Sequence, residues 1–155
     1  MNIFAVDYCP LIAATQLCDQ HVNKMILESA QLLSTTVTHY GGEAPYKPTH
    51  RNHPCAVWLR ESWSNVEWLV LHALGMAQEY TARFGKTHKS QAVVNLCADT
   101  LSGMRLPDVG LTSFALAMPD QFKVECPVES YRNFYRVDKI RFARWKRNKP
   151  DWLRI

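Results

Sequence analysis

Between about Leu11 and His39, apolar residues recur at a spacing that only a helix can place on one side. The run is long, and a break near Asp19 is the one interruption its pattern suggests. Val22, Met25, Ile26, Leu32 and Leu33 form the buried stripe. "YGGEAPYKP" ends it with two glycines and two prolines, and "THRNHP" prolongs the loop to Pro54. A second helix is predicted from about Cys55 or Ala56 to Phe84, with Trp58, Trp63, Trp68, Leu69 and Leu71 as packing residues and Gly85 as its C-cap. A third covers about Ser90 to Leu101, with Ser90 as N-cap. Gly103 to Pro127 reads as irregular, and a last helix runs from near Val128 to about Arg147. A short extended opening, Ile3 to Val6, leads to a turn at Pro10. The expectation is an all-α fold: a single compact domain over residues 1–155, with three to four main helices and long irregular loops.

The 155 residues suit one domain with a real core. No apolar run is long enough to span a bilayer, and MNIFAVDYCP lacks a signal-peptide pattern, so a cytoplasmic protein with no membrane partner is expected. Cys9, Cys18, Cys55, Cys97 and Cys126 are odd in number and form no C-x-x-C, which fits free thiols in a reducing compartment.

Within the first long helix, "DQHVNKMILESAQLL" carries His21, Lys24 and Glu28 at i, i+3 and i+7, on one helical face. Lys24 and Glu28 can form a surface ion pair, worth about 0.2–0.5 kcal/mol. In a cleft, the same carboxylate beside an amine can stabilise a cationic sugar or imine, or move protons. A desolvated lysine can also form a Schiff base. "THRNHPC" offers His50, His53 and Cys55, which with His21 contain metal-ligand types but match no standard zinc spacing. Asn52 and His53 fit better as hydrogen-bonding groups on a pocket wall, ahead of a helix N-terminus that favours anions. "AMPDQFK" places Asp120 and Lys123 in a turn. Phosphate-loop, dinucleotide, zinc-protease and serine-hydrolase motifs are absent, so no cofactor and no metal is expected.

Net charge is +4, and the positive charge concentrates near the C-terminus. From Arg132 to Arg154 nine of twenty-three residues are Lys or Arg, interleaved with Phe134, Tyr135, Phe142, Trp145 and Trp152. Such a segment can meet phosphates and stack on exposed bases, or be a helix with a solvated cationic face and an aromatic core face.

"LCDQHVNKMILE" resembles the catalytic helix of the phage endonuclease V family, the pyrimidine-dimer DNA glycosylase/AP lyases, whose members open with "L-A-D-Q-H" and carry a glutamate seven residues after the histidine. "NHPCAVWLRESW", "MPDQFKVECPVES" and "SYRNFYR" resemble, in the same order, the family's second-helix start, its "I-P-Q-E-F" segment and its "W-Y-K-Y-Y" stretch. A group of phage-encoded proteins of similar length is more similar still, with "H-V-x-K-M-I-L-E", "T-H-K-N-H-P" and "Y-R-N-Y-Y" blocks. The resemblance implies a helical domain that binds double-stranded DNA as a monomer, flips a nucleotide and cleaves its glycosidic bond. In the family the α-amine of a terminal threonine attacks C1′ and forms an imine, while the glutamate supports the sugar cation and the later elimination.

Carried onto this chain, the resemblance makes Glu28 the catalytic residue, with the Met1 amine, Lys24 or water activated by Glu28 as nucleophile. His21, Asn2, His50, Asn52, His53, Lys123 and Tyr131 are the candidate substrate-binding residues. Arg132, Arg136, Arg141, Arg144, Lys146 and Arg147 are the candidate DNA contacts. The chain departs from the family at several points. Asn2 is too large for usual Met removal, so Met1 is expected to stay. Five extra N-terminal residues put the family's threonine position at Asp7, and the arginines flanking the family's glutamate match Leu27 and Gln31. Two other readings remain open: a transferase modifying phage DNA bases in the same pocket, and a noncatalytic nucleic-acid-binding protein.

Overall fold

The computed structural model describes residues 1–154 and is all-helical. Six α-helices follow in order: α1 (Pro10–Gln16), α2 (Asp19–His39), α3 (Pro54–Glu61), α4 (Trp63–Phe84), α5 (Gln91–Ser102) and α6 (Pro127–Val137). Short 3-10 turns lie at Asp120–Phe122, Lys139–Arg141 and Asp151–Leu153. α4 is the central element and packs against α1, α2, α3 and α5, while α2 also lies against α3 and α5. α1 can sit close on α4 because Gly75 faces it: a Cβ there would come within 3.0 Å of the Ala14 Cβ. No described helix is long and apolar enough to cross a membrane.

The first apolar run is two helices. Leu17 and Cys18 are extended, although neither is a glycine or proline. The groups freed there find tertiary partners. Arg83 donates to the Thr15 and Leu17 carbonyls at 2.9 Å each, and the Asp19 amide donates to the Arg144 carbonyl at 2.7 Å. The second run also splits, at extended Ser62. Its hydroxyl donates to Asp108 or the Gly110 carbonyl, and the Trp63 amide donates to the Pro107 carbonyl at 2.8 Å. Gly85 ends α4 at φ 74°, its amide bonded to the Thr81 carbonyl. Ser90 precedes α5, but its hydroxyl meets Tyr46 Oη rather than capping the helix.

Two expectations are corrected. The last helix stops at Val137, ten residues short of Arg147. Beyond it the chain turns back across the start of α2, where Trp145 and Trp152 donate to the carbonyl and side chain of Gln16. The opening is not a plain extended segment. Ile3, Phe4, Ala5 and Val6 are buried, and Phe4 has φ 40°, so the chain kinks inside the core. All five cysteines are free; Cys18, Cys55 and Cys97 are buried, whereas Cys126 is exposed.

Candidate active site

α2 offers Lys24 and Glu28 on one face, and the N-terminal arm runs beside it. The Asn2 side chain holds that arm from both ends. Its Nδ2 donates to the Ala117 carbonyl at 2.7 Å, and its Oδ1 accepts from the Phe4 amide at 2.9 Å. The kink at Phe4 turns its ring onto His21, with centroids 4.2 Å apart and planes 20° from parallel. The arm thereby places the Met1 α-amine 3.2 Å from Glu28 Oε1. Lys24 Nζ lies 3.7 Å from Glu28 Oε2, but its side chain is 71% exposed while that of Glu28 is 10% exposed. Glu28 Oε2 is buried and has no hydrogen-bond partner among the described residues.

These groups share a cleft of ≈ 250 Å³, walled by Phe4, Phe134, Met118 and Pro119 and edged by Lys24 and Lys139. His21 lies in its side. The Tyr135 hydroxyl accepts from the Cys18 amide and sits 2.5 Å from His21 Nδ1. The same hydroxyl also donates to Cys18 Sγ at 3.5 Å, so Tyr135 ties the start of α2 to the His21 ring. Burial, reinforced by the charges of Lys139 and Lys24, pushes the His21 pKa down to about 3. The ring is neutral at physiological pH and lines the cleft as an uncharged polar group. A carboxylate, a primary amine at contact distance and a neutral imidazole in one partly shielded cleft suit the stabilisation of a sugar cation or imine.

The loop after α2 approaches the same place. His53 is the N-cap of α3, its Nδ1 accepting from the Cys55 amide at 3.0 Å. Burial lowers its pKa, helped by the terminal amine and His50 and opposed by Glu28, which puts His53 within electrostatic reach of the Met1–Glu28 pair. His50, at φ 51°, meets Thr49 Oγ1 at 2.7 Å, and Asn52 is exposed. Burial pushes the Cys55 thiol up to about 12, which disfavours the thiolate a metal would need. Among the described residues no group of three or more His, Cys, Asp or Glu is placed to hold a metal ion.

Other sequence-selected residues stand further back. Tyr131 is fully buried, donating to the Ala115 carbonyl at 2.5 Å and accepting from the Ala117 amide, so it props the segment that Asn2 grips. Lys123 is paired with Asp120 at 2.8 Å. In the basic segment, Arg132 donates to the Val6 carbonyl at 2.9 Å and Arg136 to the Trp152 carbonyl at 2.7 Å, with Glu129 as ion partner. Arg147 grips both oxygens of Glu79 at 2.9 Å. Arg141 pairs with Asp138, Lys146 lies 5.0 Å from the Phe84 ring centroid, and these two and Arg144 are exposed. Their segment skirts the cleft, since Phe142 meets His21 edge-on at 5.7 Å and its carbonyl accepts from Gln20.

Sequence reasoning did not single out Phe4, Tyr135 or Lys139 as cleft residues. Phe4 lies seventeen positions from His21 and reaches it through a positive φ that no glycine or asparagine announces. Tyr135 stood out only as an aromatic of a basic segment, and its bond to His21 spans 114 positions.

The profile of a family described as pyrimidine dimer DNA glycosylase matches residues 1–92, which include the N-terminal arm, α1 to α4 and the His53 loop. No curated protein and no solved structure matches the chain.

Proposed function

The chain belongs to the pyrimidine dimer DNA glycosylase family, and from that premise we propose that it extrudes a damaged or modified nucleotide from duplex DNA and excises the base with the Met1 α-amine as nucleophile. The observation that carries this reading is the 3.2 Å contact between that amine and Glu28, inside a cleft. Lys24 is the weaker candidate, because its amine is farther away and largely in solvent.

In the proposed reaction the Met1 ammonium gives a proton to Glu28, the freed amine nitrogen bonds to C1′ as the C1′–base bond breaks, and the base leaves with that proton. The C1′–O4′ bond then opens, O4′ takes a proton released by the amine through Glu28, and a protonated imine remains. Loss of a C2′ proton expels the 3′ phosphate and completes strand cleavage. Glu28 carries negative charge beside the cationic sugar and imine, while the neutral His21 adds no repelling charge. Arg141, Arg144 and Lys146 hold backbone phosphates next to the cleft.

The test is borohydride trapping on DNA with an abasic site. A covalent adduct that maps by mass spectrometry to the Met1 α-nitrogen, survives in Lys24→Ala and is lost on N-terminal acetylation supports the proposal. An adduct lost in Lys24→Ala transfers the role to Lys24. Base release without any adduct makes Glu28-activated water the route. DNA carrying pyrimidine dimers is the first substrate to assay.

A further inference from the structure

Two helical turns beyond Glu28 lies a second polar cavity, of ≈ 170 Å³, lined by Thr35, Thr38, His39, Arg51 and Arg60. A liquid water occupies about 30 Å³, so this space takes a phosphate-sized group with a few waters. Its construction is specific. Thr35 Oγ1 accepts from the Thr49 amide at 3.0 Å, which moors the 49–53 loop on α2. Arg60 Nη1 donates to the Arg51 carbonyl at 2.7 Å, and the Arg60 carbonyl accepts from Tyr40 Oη at 2.6 Å. The loop, α2 and α3 are thus tied around the cavity.

Its charge is uncompensated. No carboxylate among the described residues pairs with Arg51 or Arg60, in contrast to Arg83, Arg132, Arg136, Arg141 and Arg147. Two guanidiniums converging on a threonine-lined cavity, without an acidic neighbour, are suited to an oxyanion that can accept several hydrogen bonds at once.

Position defines which oxyanion. Thr35 and Thr38 follow Glu28 by seven and ten residues on α2, about 10 to 15 Å along the axis at about 1.5 Å per residue. With α2 laid along the duplex axis, where successive phosphates of one strand advance about 3.4 Å, this span is about three to four nucleotides. Arg141, Arg144 and Lys146 lie by the other end of α2, where the tail crosses Asp19 and Gln20. Positive charge therefore brackets the cleft along the helix.

We infer that the Arg51–Arg60 cavity is a backbone-phosphate site that clamps DNA three to four nucleotides from the extruded one. This rests on the function proposed above. The clamp prevents the duplex from pivoting about its contacts at the opposite end of α2 while a nucleotide is drawn into the cleft.

Arg51→Gln is the principal variant, because the Arg51 side chain is exposed and makes no bond that holds the fold. DNA affinity of wild type and variant is measured against salt and across a scan of single neutral methylphosphonates, five positions to each side of the lesion. Wild type should lose about tenfold in affinity at one position three or four nucleotides out, and Arg51→Gln should show no penalty there. The variant's log–log salt slope should fall by about 0.9. Arg51→Lys, which keeps the charge, should retain the wild-type slope. Equal methylphosphonate profiles in wild type and Arg51→Gln overturn the inference, as does an unchanged salt slope, or a slope lost equally in Arg51→Lys. If the profile changes as expected but no base is released from any DNA, the clamp stands and the proposed reaction falls. If base release is intact and the profile unchanged, the reaction stands and the clamp falls.

Discussion

Glu28 and Glu79 are the two buried carboxylates among the described residues, 8% and 2% exposed, and each lies on a long helix with a basic residue four positions later or earlier. Their surroundings differ. Glu79 accepts from Arg83 Nε at 2.8 Å, from Arg147 through both oxygens, and from Asn148 Nδ2 at 3.0 Å. Burial works to raise its carboxyl, but the hydrogen bonds and charges of Arg147 and Arg83 outweigh it and hold it below the usual carboxylate range. Arg83 goes on to Asp19, Leu17 and Thr15, so one network locks the α1–α2 break, the C-terminal tail and α4 together. Glu28 has one amine at 3.2 Å, a solvated lysine at 3.7 Å and an oxygen without a hydrogen bond. A buried carboxylate whose lone pairs are all matched holds structure together. One left with unused capacity, facing a cleft, has room for chemistry.

Substitutions at the two sites should therefore fail in opposite ways. Glu28→Gln should lower base release about 10³–10⁴-fold, within the range of acid–base catalytic groups, while its thermal midpoint stays near wild type. A variant that melts early would erase the distinction. Glu79→Gln should lose about 1.5–3 kcal/mol of unfolding free energy, because the buried Arg83 charge loses one of its two carboxylate partners and keeps only Asp19. Urea titration measures that loss, and base release per folded molecule should persist.

The basic tail sharpens the same contrast at smaller scale. Arg147→Ala should lower the thermal midpoint by loosening the tail and leave the salt slope of DNA binding unchanged, since this side chain is engaged with Glu79. Arg144→Ala should leave the midpoint alone and reduce the slope by about 0.9.

Stability against pH gives a further test. His21 is pushed down to about 3 and His72 to about 4, both chiefly by burial, from an ordinary 6.5. Above pH 6.5 these groups are neutral in the folded and unfolded chain and contribute nothing to the pH dependence. Below it the unfolded chain takes up protons that the folded chain rejects, so stability declines as pH falls toward 3 or 4, by up to about 1.4 kcal/mol per unit for each group. Thermal midpoints between pH 7.5 and 5 should fall, and less steeply in His72→Gln.

The all-helical class was legible because the 3.6-residue repeat is local, and so were the loop at "YGGEAPYKP" and the cap at Gly85. The break just before Asp19 was suggested by the pattern, but the one at Ser62 was not, because the groups freed there are satisfied by Asp108 and Pro107, distant in sequence. Lys24 and Glu28 could be placed together because they lie one turn apart, and the Met1 amine was one of several candidates that only the folded arm ranked.

Periodicity and punctuation alone determined that this chain is helical, where its long loops lie, and that an acid and an amine share a face of α2. Tertiary structure decided the rest: the kink at Phe4 that brings Met1 to Glu28, the engagement of Arg132, Arg136 and Arg147 inside the fold, and the pairing of Arg51 with Arg60 across a cavity. The division follows from range. Helix and turn are fixed by neighbours a few residues apart, but which charge is neutralised and which is left free depends on partners brought together only when the whole core closes.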